Sequence, residues 1–96
     1  MIIYQVQINI DPTIEGEWYQ WMKKVHIPDL IATGLISSYD IWRDTSKAQR
    51  YIYNYYFKNK EDLTAYQQEH APQLKKDVMD RYPNLFTAER QIYEQL

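Results

Sequence analysis

His26-Ile27-Pro28-Asp29-Leu30 and His70-Ala71-Pro72-Gln73-Leu74 both read His-x-Pro-x-Leu, 44 residues apart. Each copy lies inside a segment with helical periodicity, and each such segment sits between two strand-like runs. One strand-helix-strand unit is therefore used twice.

Upstream of the first copy, Ile2, Tyr4, Val6, Ile8 and Ile10 alternate with Ile3, Gln5, Gln7 and Asn9, the period of a strand with one apolar face. Asp11-Pro12 then suits a helix start, and Glu15 and Glu17 fall where carboxylates meet the positive end of the helix dipole. Ile14, Trp18, Trp21, Met22 and Val25 recur at spacings of three and four and form an apolar stripe. Pro28 has no N–H for the carbonyl of Lys24, so a kink or break is expected there. A short second piece runs to Thr33, and Gly34 fits the left-handed closing position.

The second strand is expected over Leu35 to Arg43 and the third over Arg50 to Phe57, joined by the polar loop from Asp44 to Gln49. On the third, Tyr51, Tyr53, Tyr55 and Phe57 share one face, with Ile52, Asn54 and Tyr56 on the other. Asn59 can cap a second helix whose stripe is Leu63, Tyr66, His70, Leu74 and Val78, interrupted by Pro72. Leu85 to Tyr93 makes a last strand. The order β-α-β-β-α-β predicts an α+β, ferredoxin-like fold: a four-stranded antiparallel sheet with two helices on one face, all within one domain over residues 1–96. The opposite face is left bare. Because both faces of the third strand carry aromatics, a second copy is expected to cover it.

Composition narrows the function classes. Ten Tyr, three Trp and two Phe are many for 96 residues, and suit interfaces or partly wet pockets. A net charge of −2 with scattered Lys and Arg gives no basic surface for nucleic acid or an anionic membrane. The absence of Cys removes disulfides, thiolate metal sites and a Cys nucleophile. The N-terminal run alternates and lacks the pattern of a secretory signal, and no apolar run reaches the ~20 residues of a membrane helix, so a cytoplasmic protein is expected.

The chain resembles the dimeric α+β barrel superfamily, which includes antibiotic-biosynthesis monooxygenases, muconolactone isomerases and haem-degrading monooxygenases. More closely it is similar to a small bacterial domain family of unknown function. The Ile-Ile-Tyr start, Trp18-x-x-Trp21-Met22, His26-Ile27-Pro28, Ala32-Thr33-Gly34, Tyr51 with Tyr55, and Glu69-His70-Ala71-Pro72-x-Leu74 carry the likeness. It implies a ferredoxin-like protomer that pairs sheet to sheet, and it implies no particular reaction.

His26 follows Met22 by four residues and His70 follows Tyr66 by four, so both flank an apolar stripe. Two readings are open. The pair could border a pocket between helices and sheet as acid, base or hydrogen-bond donors, together with Trp21, Tyr55 and Tyr66. Alternatively, each His bonds a carbonyl freed by the proline two residues on, and this is the preferred reading. No metal is expected, since two His lack a third ligand unless Asp29 or Asp40 completes the set. No cofactor is expected either. Haem stays a remote alternative, because haem-degrading relatives use a His on the second helix, as His70 is here, with an Asn and a Trp for which Asn9 and Trp42 would have to stand.

Trp18 and Trp21 read as core. Tyr51, Tyr53, Tyr55 and Phe57 have a dimer-interface reading and an RNA-stacking one, the latter opposed by the acidic balance and missing glycines, so no nucleic acid is expected. The expected function is a homodimer through the sheet face that binds a small molecule between helices and sheet. The alternative is a cofactor-independent enzyme of the monooxygenase or isomerase type.

Overall fold

Alternation along the first strand decides where the core goes. In the computed structural model, which describes residues 1–96, Ile2–Ile10 (β1) buries every even-numbered side chain and leaves the odd ones half-covered. β1 lies between Arg50–Phe57 (β3) and Phe86–Glu94 (β4), and Ser38–Arg43 (β2) closes the other edge of the sheet. All pairs are antiparallel in the order β2-β3-β1-β4, the ferredoxin-like arrangement. Register sets Tyr55 opposite Tyr4, Tyr53 opposite Val6 and Tyr51 opposite Ile8, so the tyrosine row of β3 faces the helices. Those three and Phe57 are at most 4% exposed. They belong to the core. This removes both the RNA-stacking and the dimer-interface readings of that row.

The first helical segment is assembled from pieces. A 3-10 turn at Pro12–Ile14, with Asp11 accepting from the Thr13 N–H, leads into Glu15–Trp21 (α1), a π turn over Met22–His26, and Ile27–Ala32 (α2). The π turn closes when the Ile27 N–H reaches the Met22 carbonyl. The widening precedes Pro28 instead of falling on it, and Pro28 sits harmlessly in the first turn of α2. Core spacing across the wide turn is five, Met22 to Ile27, and Leu30 follows three later, each at most 2% exposed. Val25, expected on the stripe, is 42% exposed because the wide turn rotates it outward.

Gly34 ends the segment at φ 77, as expected for its position. Leu35 to Ser37, expected in the second strand, precede β2: the Leu35 N–H is taken by the Thr33 hydroxyl, and only the Ser37 N–H reaches β3, at the Tyr56 carbonyl. The second segment splits into Lys60–Glu69 (α3), capped by Asn59, and Ala71–Arg81 (α4). The break falls on His70, whose φ/ψ of −124/−40 leaves the helical region.

The core joins β1 and β3 to Trp18, Met22, Ile27, Leu30, Leu63, Tyr66, Ala71, Leu74 and Tyr82. Full burial of each large apolar side chain there contributes about 1.5–3 kcal/mol. Cover thins towards β4, where Ile92, on the helix-facing side, is 52% exposed.

The opposite sheet face carries a polar ladder. Gln7 donates to Gln5, Gln5 to Asn54 and Asn54 to Asp40, while Trp42 Nε1 (2.6 Å) and the Tyr56 hydroxyl (2.5 Å) also donate to Asp40. Arg50 donates to Gln7 and Asn9. On that face β3 presents Ile52, Asn54 and Tyr56, the face assignment expected from its alternation. Trp42 and Tyr93 stand on the same face, at 60% and 46% exposure. No helix is long and apolar enough to cross a membrane.

Candidate functional site

Where helix cover thins, a cavity of about 500 Å³ opens between helices and sheet. Tyr4, Val6 and Ile8 of β1 form its floor, with Tyr55 of β3 on one side and Phe86, Ala88 and Arg90 of β4 on the other. Met22, His26, Leu30, Tyr66, Leu74, Val78 and Tyr82 close it from the helical side. The volume lies in the usual range for small-molecule sites, which are mostly apolar with a few convergent polar groups.

Three of the residues expected to make a site meet here: His26, Tyr55 and Tyr66. The π turn brings His26 in, since the residue occupies the last position of the wide turn beside buried Ile27. Burial lowers its pKa from 6.5 to about 4, although Asp29 and Asp77 pull in the other direction. The imidazole is therefore neutral at pH 7. Trp21 stands outside the lining but stacks on the ring, with centroids 5.5 Å apart and planes 25° from parallel. It is held in turn by the edge of Tyr82 and the Arg81 guanidinium over its face.

His70 is placed differently. Its side chain is 37% exposed, does not line the cavity, and lies 4.0 Å from the Glu69 carboxylate. Neither imidazole bonds a backbone carbonyl, so the preferred structural role for the pair is not how the structure uses them. His70 enters hydrogen bonding through its backbone, N–H to the Tyr66 carbonyl and C=O from the Leu74 N–H.

Arg90, Lys75 and Tyr4 were not legible as site residues. Burial raises the pKa of the Tyr4 hydroxyl, and the nearby Arg90 guanidinium partly offsets this. Tyr66 is raised in the same way, by burial first, with Arg90 again opposing. Tyr55 is raised by burial among its neighbouring phenols. All three hydroxyls stay neutral donors. The only hint in the sequence was the even register of Arg90 with the apolar residues Phe86, Ala88 and Ile92 on β4.

A metal or haem set does not form. No three His, Asp or Glu side chains cluster, and Asp40 is on the far sheet face, engaged by Trp42, Asn54 and Tyr56. Asn9 and Trp42 also lie on that face, and His70 is outside the cavity, so the three residues a haem site would use do not converge.

The chain belongs to a family described as a domain of unknown function (DUF4286), whose model matches residues 1–96. No protein of curated function matches its sequence. Among solved structures, a protein assigned to the antibiotic biosynthesis monooxygenases from Nitrosomonas europaea superposes with a TM-score of 0.73 at 14% identity, over 100% of this chain and 99% of that one. An ethyl tert-butyl ether (EthD) family protein from Bacillus halodurans gives 0.72 at 16% identity, over 100% of both chains. SnoaB, a cofactor-independent oxygenase from Streptomyces nogalater, gives 0.70 at 7%, over 99% of this chain and 92% of that one. At these identities the likeness shows the fold, shared with antibiotic biosynthesis monooxygenase-like α+β barrels.

Proposed function

We propose that this chain is a small-molecule-binding protein, one ferredoxin-like unit over residues 1–96, whose site is the cavity between helices and sheet. The observation that carries the reading is the cavity itself: about 500 Å³, apolar, with the neutral His26 and the hydroxyls of Tyr4, Tyr55 and Tyr66 on its wall. Such a lining favours an apolar body and orients it through a few hydrogen bonds.

Filling the cavity tests this. A thermal-shift titration of the native chain with 2-naphthol should raise the melting temperature. Ala88→Trp should abolish that rise while far-ultraviolet circular dichroism shows the fold retained. An unchanged rise in the variant would place binding elsewhere.

A second reading, a cofactor-independent monooxygenase or isomerase, is favoured by one feature, a neutral imidazole in an apolar cavity beside phenols. SnoaB is a fold neighbour described as an oxygenase. However, a base works best when its pKa is near the operating pH, and His26 at about 4 is weaker than free imidazole. Binding therefore ranks ahead of proton abstraction.

The protein is further proposed to act as a homodimer through the sheet face opposite the helices. Trp42 and Tyr93 stand exposed there, and Ile3, Ile52 and Tyr56 lie half-covered on the same face. Such an interface should bury more than ~1,000 Å² in total. Light scattering at tens of micromolar should give twice the 11.7 kDa chain mass, and a monomer would overturn the assignment.

A further inference from the structure

The cavity's mouth is charged in a way its interior is not. Among its lining residues are three with charged side chains, Lys75 and Asp80 on α4 and Arg90 on β4. The ion pairs of the molecule are Arg50–Asp44, His70–Glu69, Lys76–Asp80 and Arg81–Glu17. Asp80 is therefore already neutralised by Lys76, whereas Lys75 and Arg90 have no carboxylate partner. A chain of net charge −2 thus places two uncommitted cations on one opening.

Arg90 is the more telling of the two. It sits on the helix-facing side of β4, opposite Val6, where Phe86, Ala88 and Ile92 on the same side are apolar. Arg90 nevertheless lines the cavity together with Tyr4 and Tyr66, and its charge is close enough to oppose the rise in both phenol pKa values. Guanidinium forks match carboxylates through two parallel hydrogen bonds, and the adjoining phenols add neutral donors. His26, on the helical wall, has no charge at pH 7 to compete for the anion.

We propose that the ligand of this cavity is a hydrophobic carboxylic acid, its ring or chain lying on Val6, Ile8, Leu74, Val78 and Phe86 and its carboxylate held at the mouth by Arg90 with support from Lys75. The inference rests on the cavity being the binding site and adds the charge of what enters it.

Three probes of one shape test it by isothermal titration: 2-naphthoate, neutral 2-naphthamide and cationic 2-naphthylmethylammonium. The acid should bind at least about tenfold tighter than the amide, equivalent to about 1.4 kcal/mol. The ammonium should bind weakest. Arg90→Gln should bring acid and amide within about threefold of each other, Lys75→Gln should reduce the gap less, and Lys47→Gln on the β2–β3 loop should leave it unchanged. Added salt should weaken the acid alone. Equal binding of acid and amide by the native chain overturns the anion assignment and leaves the cavity reading standing. So does a preference for the acid that survives both Arg90→Gln and Lys75→Gln. Failure of all three probes, with no thermal shift by 2-naphthol, overturns the cavity reading itself.

Discussion

The two His-x-Pro-x-Leu segments share a pattern and a core phase, yet end as different structures. In both, the residue after His is buried (Ile27, Ala71) and so is the closing Leu (Leu30, Leu74). In both, core spacing across the break is five residues, Met22 to Ile27 and Tyr66 to Ala71. In the first copy the helix stays continuous by widening into a π turn, and His26 keeps helical angles of −66/−51. In the second the helix stops, and His70 leaves the helical region. Trp21 covers His26 with a stacked ring, whereas the His70 side chain is left 37% exposed. A proline thus dictates that the hydrogen-bond ladder be interrupted, but not how.

Removing each ring in turn separates the two copies by the largest effect. His26→Ala should cost about 2–3 kcal/mol, because a buried, stacked side chain is lost and the cavity beside it enlarges. His70→Ala should stay within about 0.5 kcal/mol, since more than a third of its side chain is exposed and it holds no backbone carbonyl. Urea denaturation of both variants at pH 7 measures the difference. Equal costs would mean that the two copies are structurally equivalent after all.

Proton linkage sharpens the same contrast with a smaller effect. The folded chain protonates His26 only near pH 4, while the unfolded chain does so near 6.5. Between those values the unfolded state holds more protons, so stability should be complete above 6.5 and fall as the pH drops towards 4. The full interval corresponds to about 3 kcal/mol, and solvent reaching the cavity wall reduces it to about 2. His26→Gln should lose this part of the pH dependence and His70→Gln should keep it. Urea midpoints from pH 7 to pH 4.5 would show which His carries it, and an identical slope in native chain and His26→Gln would contradict the burial of His26.

Most of the fold was legible. Alternation in β1 and β3, the polar Asp44–Gln49 loop and Gly34 marked the bounds of those two strands and the order of the elements, because period-two burial and a left-handed turn leave direct marks on sequence, whereas β2 starts three residues later than expected. The π turn was not legible. It resembles an ordinary helix at every position, and only the five-residue core step gives it away once burial is known. Val25 was misplaced for that reason. Of the site, His26, Tyr55 and Tyr66 were recoverable from stripes that face the sheet, whereas His70 shared the pattern without the placement. Arg90 and Lys75 escaped because a cation at a cavity mouth looks like any surface cation until the uncovered edge of β4 is seen.

In the proposed function one cavity binds the ligand, and His26, not His70, borders it. Nuclear magnetic resonance of the two imidazole rings during a titration with 2-naphthoate tests this directly. Binding in the cavity should produce a saturable change in the His26 ring signals with the His70 signals unmoved. A titration that moved the His70 ring and left His26 where it began would contradict it.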